Sequence, residues 1–300
     1  MRAAAIKAKK KHKKAGAFDI AVYVFTALIC AVIILPFLNI LFLSLSNIED
    51  IYFGRVNFFP KNLSVESYKL IFERSDVFRA YLNTIVQMVL GTVISLMFTL
   101  GLAYALSRKD LKGRKAMQFF CIFTMFFGGG MVPSFIVVQS LGMYNTIWAL
   151  VLPGCVAAWY VIVVRVFINT TVPNELQEAA RIDGAGNFLI FFKIVMPLLK
   201  VVVAIMILFY GVGYWNSYYA PLIYISGDNK ALIPVQIIMR DILIKPEASV
   251  GGGEGALKSM MSAEAVKYSS IIITTLPILI AYPFFAKHLE KGMNLGGLKG

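Results

Sequence analysis

Two stretches of this chain have residue types and spacings that could do chemistry. The first is Trp215-Asn216-Ser217-Tyr218-Tyr219-Ala220-Pro221-Leu222. Aromatic rings stack on the C–H faces of sugars, and an amide both donates to and accepts from hydroxyls. Read so, Trp215, Asn216, Tyr218 and Tyr219 form a carbohydrate contact; read as a membrane feature, they form an aromatic belt at an outer bilayer surface. The second stretch runs from Pro173 to Gly184 and offers a surface rather than a reactive group. Its pattern describes a polar helix with Asn174 as the start cap and glutamates in or near the first turn. Leu176, Ala179, Ala180 and Asp183 share one face, and Gly184 stands where a left-handed residue ends a helix. The paired alanines leave a shallow face that another protein can approach closely. An ordinary interfacial helix between two spans fits the same pattern.

Catalytic machinery is missing. There is no G-x-x-x-x-G-K-[ST], no H-E-x-x-H, no G-x-S-x-G and no pair of carboxylates inside an apolar run. We assign no catalytic residue and no metal ligand. His12 and His288 lie in basic flanks without a partner at ligand spacing, and Cys30, Cys121 and Cys155 each sit in an apolar stretch as small packing residues. The apolar runs hold almost no acids, with Asp19 only at an entrance. That weighs against a proton- or ion-coupled carrier. Arg165 and Lys200 lie near span ends, where long side chains reach the headgroups.

The elements that must position these stretches are membrane spans. The chain has 300 residues, 59% of them hydrophobic and 15% charged. Its mean hydropathy is +0.74. The apolar excess falls in long runs, which excludes a soluble enzyme. The net charge of +13 crowds the ends of those runs, where it sets topology and meets anionic lipid rather than nucleic acid. Six spans are expected, at about Ile20–Leu45, Ala80–Leu106, Met117–Leu141, Thr146–Phe167, Ile194–Tyr214 and Tyr268–Phe285. Pro36 and Asn39 are expected to kink the first or bind a neighbour. Gly128-Gly129-Gly130 and Pro133 interrupt the third, so Gly129 and Gly130 mark either a pathway element or a close helix crossing.

Residues 1–17 read as a basic cytoplasmic tail and residues 18–300 as one membrane domain. The basic turn with Lys109, Lys112, Arg114 and Lys115 places the second span's end inside, as does an inside N-terminus. Counting spans puts the Pro173–Gly184 stretch and the C-terminus on the same side. Residues from about 223 to 267 form the longest external loop, and they contain Gly251-Gly252-Gly253.

The spacing Glu178-Ala179-Ala180, three residues, Gly184, nine residues, Ile194, one residue, Met196-Pro197 resembles the cytoplasmic signature loop of ABC importer permeases. Met196 stands where that pattern has Leu, a volume-conserving change. Asn83-Thr84, the A-Y-A-L-S-R run from Ala103 to Arg108, and the Trp215-Asn216 and Pro221-Leu222 elements are similar to the maltose-type, carbohydrate-uptake branch. The G-G-G-M-V-P-S and L-G-M-Y-N-T runs point to relatives that take up oligosaccharides or polysaccharide fragments.

The resemblance implies an all-α, six-helix membrane fold of the type I importer class, in a bacterial inner membrane. It implies a coupling helix at about 173–186 that docks on an ATPase, with Glu178, Ala179, Ala180, Asp183 and Gly184 at its core. It also implies a second homologous permease, two ATPase subunits that hold ATP and Mg, and an extracytoplasmic binding protein that the long external loop reaches. This chain itself would bind no cofactor. A stand-alone facilitator, a membrane scaffold or intramembrane enzyme, and an importer of another solute class such as a peptide or phosphonate are the rival readings. Dependence on an ATPase separates the first two from an importer.

Overall fold

The computed structural model describes residues 16–244 and 256–297. The basic tail through residue 15, Gly251-Gly252-Gly253, and the side chains of Lys287, His288 and Lys291 lie outside the described residues. Among the described residues the fold is all helical, apart from one isolated antiparallel bridge between Ser46 and Leu63.

Helix α1 (Ala17–Ser44) begins with the Asp19 carboxylate accepting from the Gly16 N–H at 2.9 Å, a favourable charge at a helix start. It passes through Pro36 without ending, and Asn39 donates to the Asn57 carbonyl at 3.1 Å. Phe18, Tyr23, Phe25, Val32 and Ile33 stay exposed along it, an apolar surface suited to lipid. The connection to the next span folds into α2 (Ile48–Tyr52) and α3 (Glu66–Phe72). Both pack on the last helix, where Ile48 and Ile51 meet Met261 and Ala265 and the Ser269 hydroxyl donates to Ser67 at 2.6 Å.

Helix α4 (Ser75–Ser107) is the centre of the molecule. Its 33 residues reach about 50 Å at 1.5 Å per residue, well beyond a hydrocarbon core. Thr84, Gln87, Gly91, Ser95, Thr99 and Ala103 recur at three-and-four spacing and are buried, so its packed face is small and polar rather than apolar. Two helices lie closely against it, α8 (Ala158–Thr171) and α11 (Lys200–Trp215).

Among the described residues three helices are continuous and apolar enough to cross a membrane, namely Ala17–Ser44, Ser75–Ser107 and the Met260–Ala286 part of the last helix, α14 (Ala256–Gly297). The other three expected spans are each broken. The third divides into α5 (Arg114–Phe126) and α6 (Met131–Ser140) at the glycine run. The fourth divides into α7 (Ile147–Val151) and α8 around Pro153-Gly154. The fifth is α10 (Asn187–Leu198, with a π turn at Phe191–Val195) followed by α11, with an 85° bend between them.

A broken helix in lipid needs partners for its freed backbone groups. At the fourth span α11 supplies them. The Tyr214 hydroxyl donates to the Val151 carbonyl at 3.0 Å, and the Ala157 N–H reaches the Tyr210 hydroxyl at 3.4 Å.

The expected external loop at 223–267 is helical at both ends. Helix α12 (Tyr219–Tyr224) runs into it, α13 (Val235–Ile244) lies within it, and α14 begins twelve residues before the expected sixth span. Apolar Val235, Met239 and Ile242 fold α13 onto α4 and α14. The Thr84 hydroxyl accepts from the Val235 N–H at 2.9 Å and Asn83 donates to the Ile233 carbonyl at 3.0 Å, so Asn83-Thr84 is an anchor for this segment.

Candidate functional site

The polar stretch after α8 forms helix α9 (Asn174–Ile182). Its cap is Pro173, not Asn174, and no side chain completes the cap. Asn174 is instead the first helical residue, because Pro173 holds the extended backbone that a cap position needs. The far end closes as expected. Gly184 has φ +81°, its N–H donates to the Arg181 carbonyl at 3.0 Å, and the Ala185 N–H donates to the Ala180 carbonyl at 2.9 Å. This is a Schellman closure with a left-handed glycine.

The expected shared face of Leu176, Ala179, Ala180 and Asp183 is divided. Ala180 turns inward, half-buried, against the main core with Ala185. Ala179, Leu176, Glu178 and Asp183 are exposed. Ile182 is 87% exposed and Phe188, at the start of α10, is 82% exposed. A short polar helix that presents bare Leu176 and Ile182, followed by bare Phe188 at the start of α10, has an outer face made for a protein surface. Ile182 and Phe188 were missed in the sequence because neither lies on the Leu176–Ala180 stripe.

Behind α9 lies a polar cavity of about 190 Å³ whose walls include Ser107, Asp110, Asn169, Gln177 and Arg181. Asp110 closes it. Its Oδ1 accepts from Arg108 Nε at 3.0 Å, and its Oδ2 accepts from Arg108 Nη2 at 2.8 Å and Arg181 Nη2 at 3.0 Å. The Arg108 hydrogen bonds hold the Asp110 carboxyl below the usual carboxylate range. Arg108 also donates to the Tyr104 hydroxyl at 3.0 Å, and Tyr104 packs its ring 5.0 Å from Phe191 in the π turn.

The aromatic stretch does not form one site. Trp215 is buried; its indole N–H donates to the Thr274 carbonyl at 3.1 Å and its ring lies 6.0 Å from Tyr81. It joins α11, α4 and α14. Asn216 is exposed. Tyr218 lines a cavity of about 370 Å³ with Gln236, Arg240, Ser270 and Thr274. Tyr219 turns the other way and donates to Met131 Sδ at 2.9 Å. That contact brings it beside Gly130, which has φ +85°. Among the described residues nothing approaches within 4 Å of a Cβ placed on Gly128 or Gly130. The glycine run is therefore not a close helix crossing within this chain.

Residues 95–295 match the family described as the binding-protein-dependent transport system inner membrane component. The chain belongs to this family. It is a permease subunit of an ABC importer. It is 35% identical over 288 residues to the polygalacturonan/rhamnogalacturonan transport system permease protein YtcP of Bacillus subtilis (strain 168), covering 94% of this chain and 98% of the relative. It is 36% identical over 290 residues to protein LplC of the same strain, covering 96% and 97%. Among solved structures, a chain of a bacterial ABC transporter that imports the acidic polysaccharide alginate superposes with TM-score 0.81 at 27% identity, covering 90% of this chain and 95% of that one.

In this permease the groups least visible to sequence reading are the buried polar ones. Ser95 and Tyr214 share a hydrogen bond of 3.0 Å and Thr99 and Tyr210 one of 2.6 Å, so two hydroxyl rungs join α4 to α11. Their only sequence signal was the recurrence of small polar residues along α4. Gln87 Nε2, Thr92 Oγ1 and Arg165 Nε are buried without a hydrogen-bond partner among the described residues. Arg165 therefore departs from the simple snorkelling role, whereas Lys200 is exposed. Cys121 and Cys155 are half-buried as expected; Cys30 is exposed on α1, because the whole outer face of that helix is bare.

Proposed function

We propose that this permease passes a carbohydrate, an oligosaccharide cut from a larger polymer, in partnership with a second homologous permease. Two ATPase subunits carrying ATP and Mg sit on the cytoplasmic side, and an extracytoplasmic protein delivers the sugar. Both termini of the chain lie in the cytoplasm. The observation that carries this reading is α9, a helix between two spans that turns Leu176 and Ile182 outward and is closed by Gly184. Glu178, Ala179, Asp183 and Gly184 form the docking surface, and Ala180 roots it in the membrane domain. ATP binding draws the ATPases together and displaces α9, which shifts the spans from an inward-open to an outward-open population. Hydrolysis resets them.

The names of relatives support the substrate class. One is named for polygalacturonan and rhamnogalacturonan, and a solved neighbour imports an acidic polysaccharide. Fragments of an acidic polysaccharide are the first class to test. Tyr218, Tyr219 and Asn216 are exposed and able to touch such a sugar, together with the backbone at Gly129 and Gly130. Trp215 is buried between α11, α4 and α14 and is not part of that contact.

The test is capture of the tagged chain from its native membrane in mild detergent, with mass spectrometry of what accompanies it. An ATPase, a second permease and a binding protein are expected, and the binding protein is then screened against oligogalacturonides and neutral glycans. A chain recovered alone that moves sugar in ATP-free liposomes would replace this reading with a facilitator.

A further inference from the structure

We infer that Asp110 is a positioning residue that delivers the displacement of α9 to α4. The inference rests on the coupling role proposed for α9.

Helix α9 is loosely held. None of its residues is fully buried, and its ends are Pro173 and the Gly184–Gly186 turn. Among the described residues two attachments stand out besides the chain itself. One is the packing of Ala180 and Ala185 on the core. The other is Arg181 on Asp110, 71 residues away in sequence, at 3.0 Å.

Asp110 is rigidly mounted. Arg108 grips both its oxygens in a fork geometry that fixes direction as well as distance. Arg108 is the residue that ends α4; its side chain is only 10% exposed and it is fastened in turn to Tyr104 of the same helix. A push on Arg181 therefore meets the end of α4 through one carboxylate. The covalent route from α9 to α11 is softer, since it crosses the π turn and then the 85° bend.

Helix α4 keeps Gln87 Nε2 and Thr92 Oγ1 buried without a hydrogen-bond partner among the described residues. An exposed ion pair of this kind adds little to folding. Its value lies in linking two elements that shift against each other.

The test uses the complete importer in lipid, with the native cysteines replaced by serine. Spin labels are placed at Met97 of α4 and Phe209 of α11, both exposed, and a second pair is placed at Val166 of α8 and Phe209. Distances are read without nucleotide and with ATP trapped by vanadate. In the wild type the Met97–Phe209 distance shifts on trapping. Asp110→Asn, Arg181→Gln and the double variant each remove that shift and lower the ATPase rate by about fivefold, with the double no worse than the worse single. Arg55→Gln, which breaks an unrelated pair with Asp50, leaves both readouts unchanged.

An unmoved Met97 label in the wild type would sink the delivery to α4, and so would a normal shift in Asp110→Asn. Additive losses in the double variant would show two independent roles and also overturn it. If wild type captures no ATPase, the coupling role of α9 itself falls. Normal capture with an intact shift in the variants removes only the Asp110 inference.

Discussion

The ring of Tyr214 occupies the space that a Cβ on Gly91 would need. Its Cζ and both Cε atoms lie 2.5–2.6 Å from that position. The ring cannot swing away, because its hydroxyl is held by Ser95 and by the Val151 carbonyl at the break in the fourth span. Gly91 is thus the close approach that lets α11 reach across α4 and satisfy a third element. Gly91→Val is expected to destabilise the detergent-solubilised permease by ~1–3 kcal/mol through overpacking. Thermal unfolding in detergent measures this, and Gly101→Val, at a site with nothing within 4 Å, is the control.

Gly184 poses a different problem. Nothing lies within 4 Å of a Cβ there, so space is free, but φ is +81°. Gly184→Asp costs ~1–2 kcal/mol in the left-handed region and adds a charge beside the exposed Ile182. The expected outcome is normal insertion, judged by immunoblot of membranes, with uptake lost. Gly184→Asn should retain more uptake, since Asn visits that conformation more readily. Normal transport by Gly184→Asp would remove the glycine from the coupling surface.

Trp215 and Tyr219 stand four residues apart and should respond differently. Trp215→Phe keeps a ring but loses the bond to the Thr274 carbonyl, so stability should drop by ~0.5–1.5 kcal/mol while the apparent affinity for sugar holds. Tyr219→Ala, at an exposed site, should change stability by no more than ~0.5 kcal/mol and weaken uptake at low sugar concentration. Thermal unfolding and concentration-dependent uptake by vesicles separate the two effects.

The Asp110 junction has a pH dependence whose sign is fixed. Arg108 lowers the carboxyl's pKa in the folded state. The stabilisation is therefore fully present above the ordinary carboxylate value of about 4 and is lost as pH falls through the lower folded value. Between pH 5 and 8, on the order of the range cells use, protease protection of the α9 segment should be flat. Asp110→Asn should show at neutral pH the exposure that wild type shows only in strong acid. A wild-type transition near pH 6 to 7 would mean that another group controls the junction.

The sequence by itself determined the class and the parts that depend on local pattern. Apolar runs with bases at their ends specify a helical membrane protein whatever the packing. The short helix at α9 and its stop at Gly184 follow from residues within one turn of each other, and so they were legible. Even there the cap was misplaced by one residue, because Asn174 and Pro173 compete for it and backbone preference won.

Only the tertiary structure decided which residues of each cluster act together. Ala179 and Ala180 are neighbours in sequence, yet one is exposed and the other is packed on the core. Trp215, Tyr218 and Tyr219 read as one cluster, but a helix end falls among them and sends each toward a different element. Asp110 lay in a basic turn with no visible purpose until folding brought Arg181 across 71 residues to meet it. The same holds for Tyr210 and Tyr214, whose hydroxyls serve a break in another span. Local periodicity fixes helices; the polar contacts between them depend on which chain-distant groups packing brings within hydrogen-bond reach.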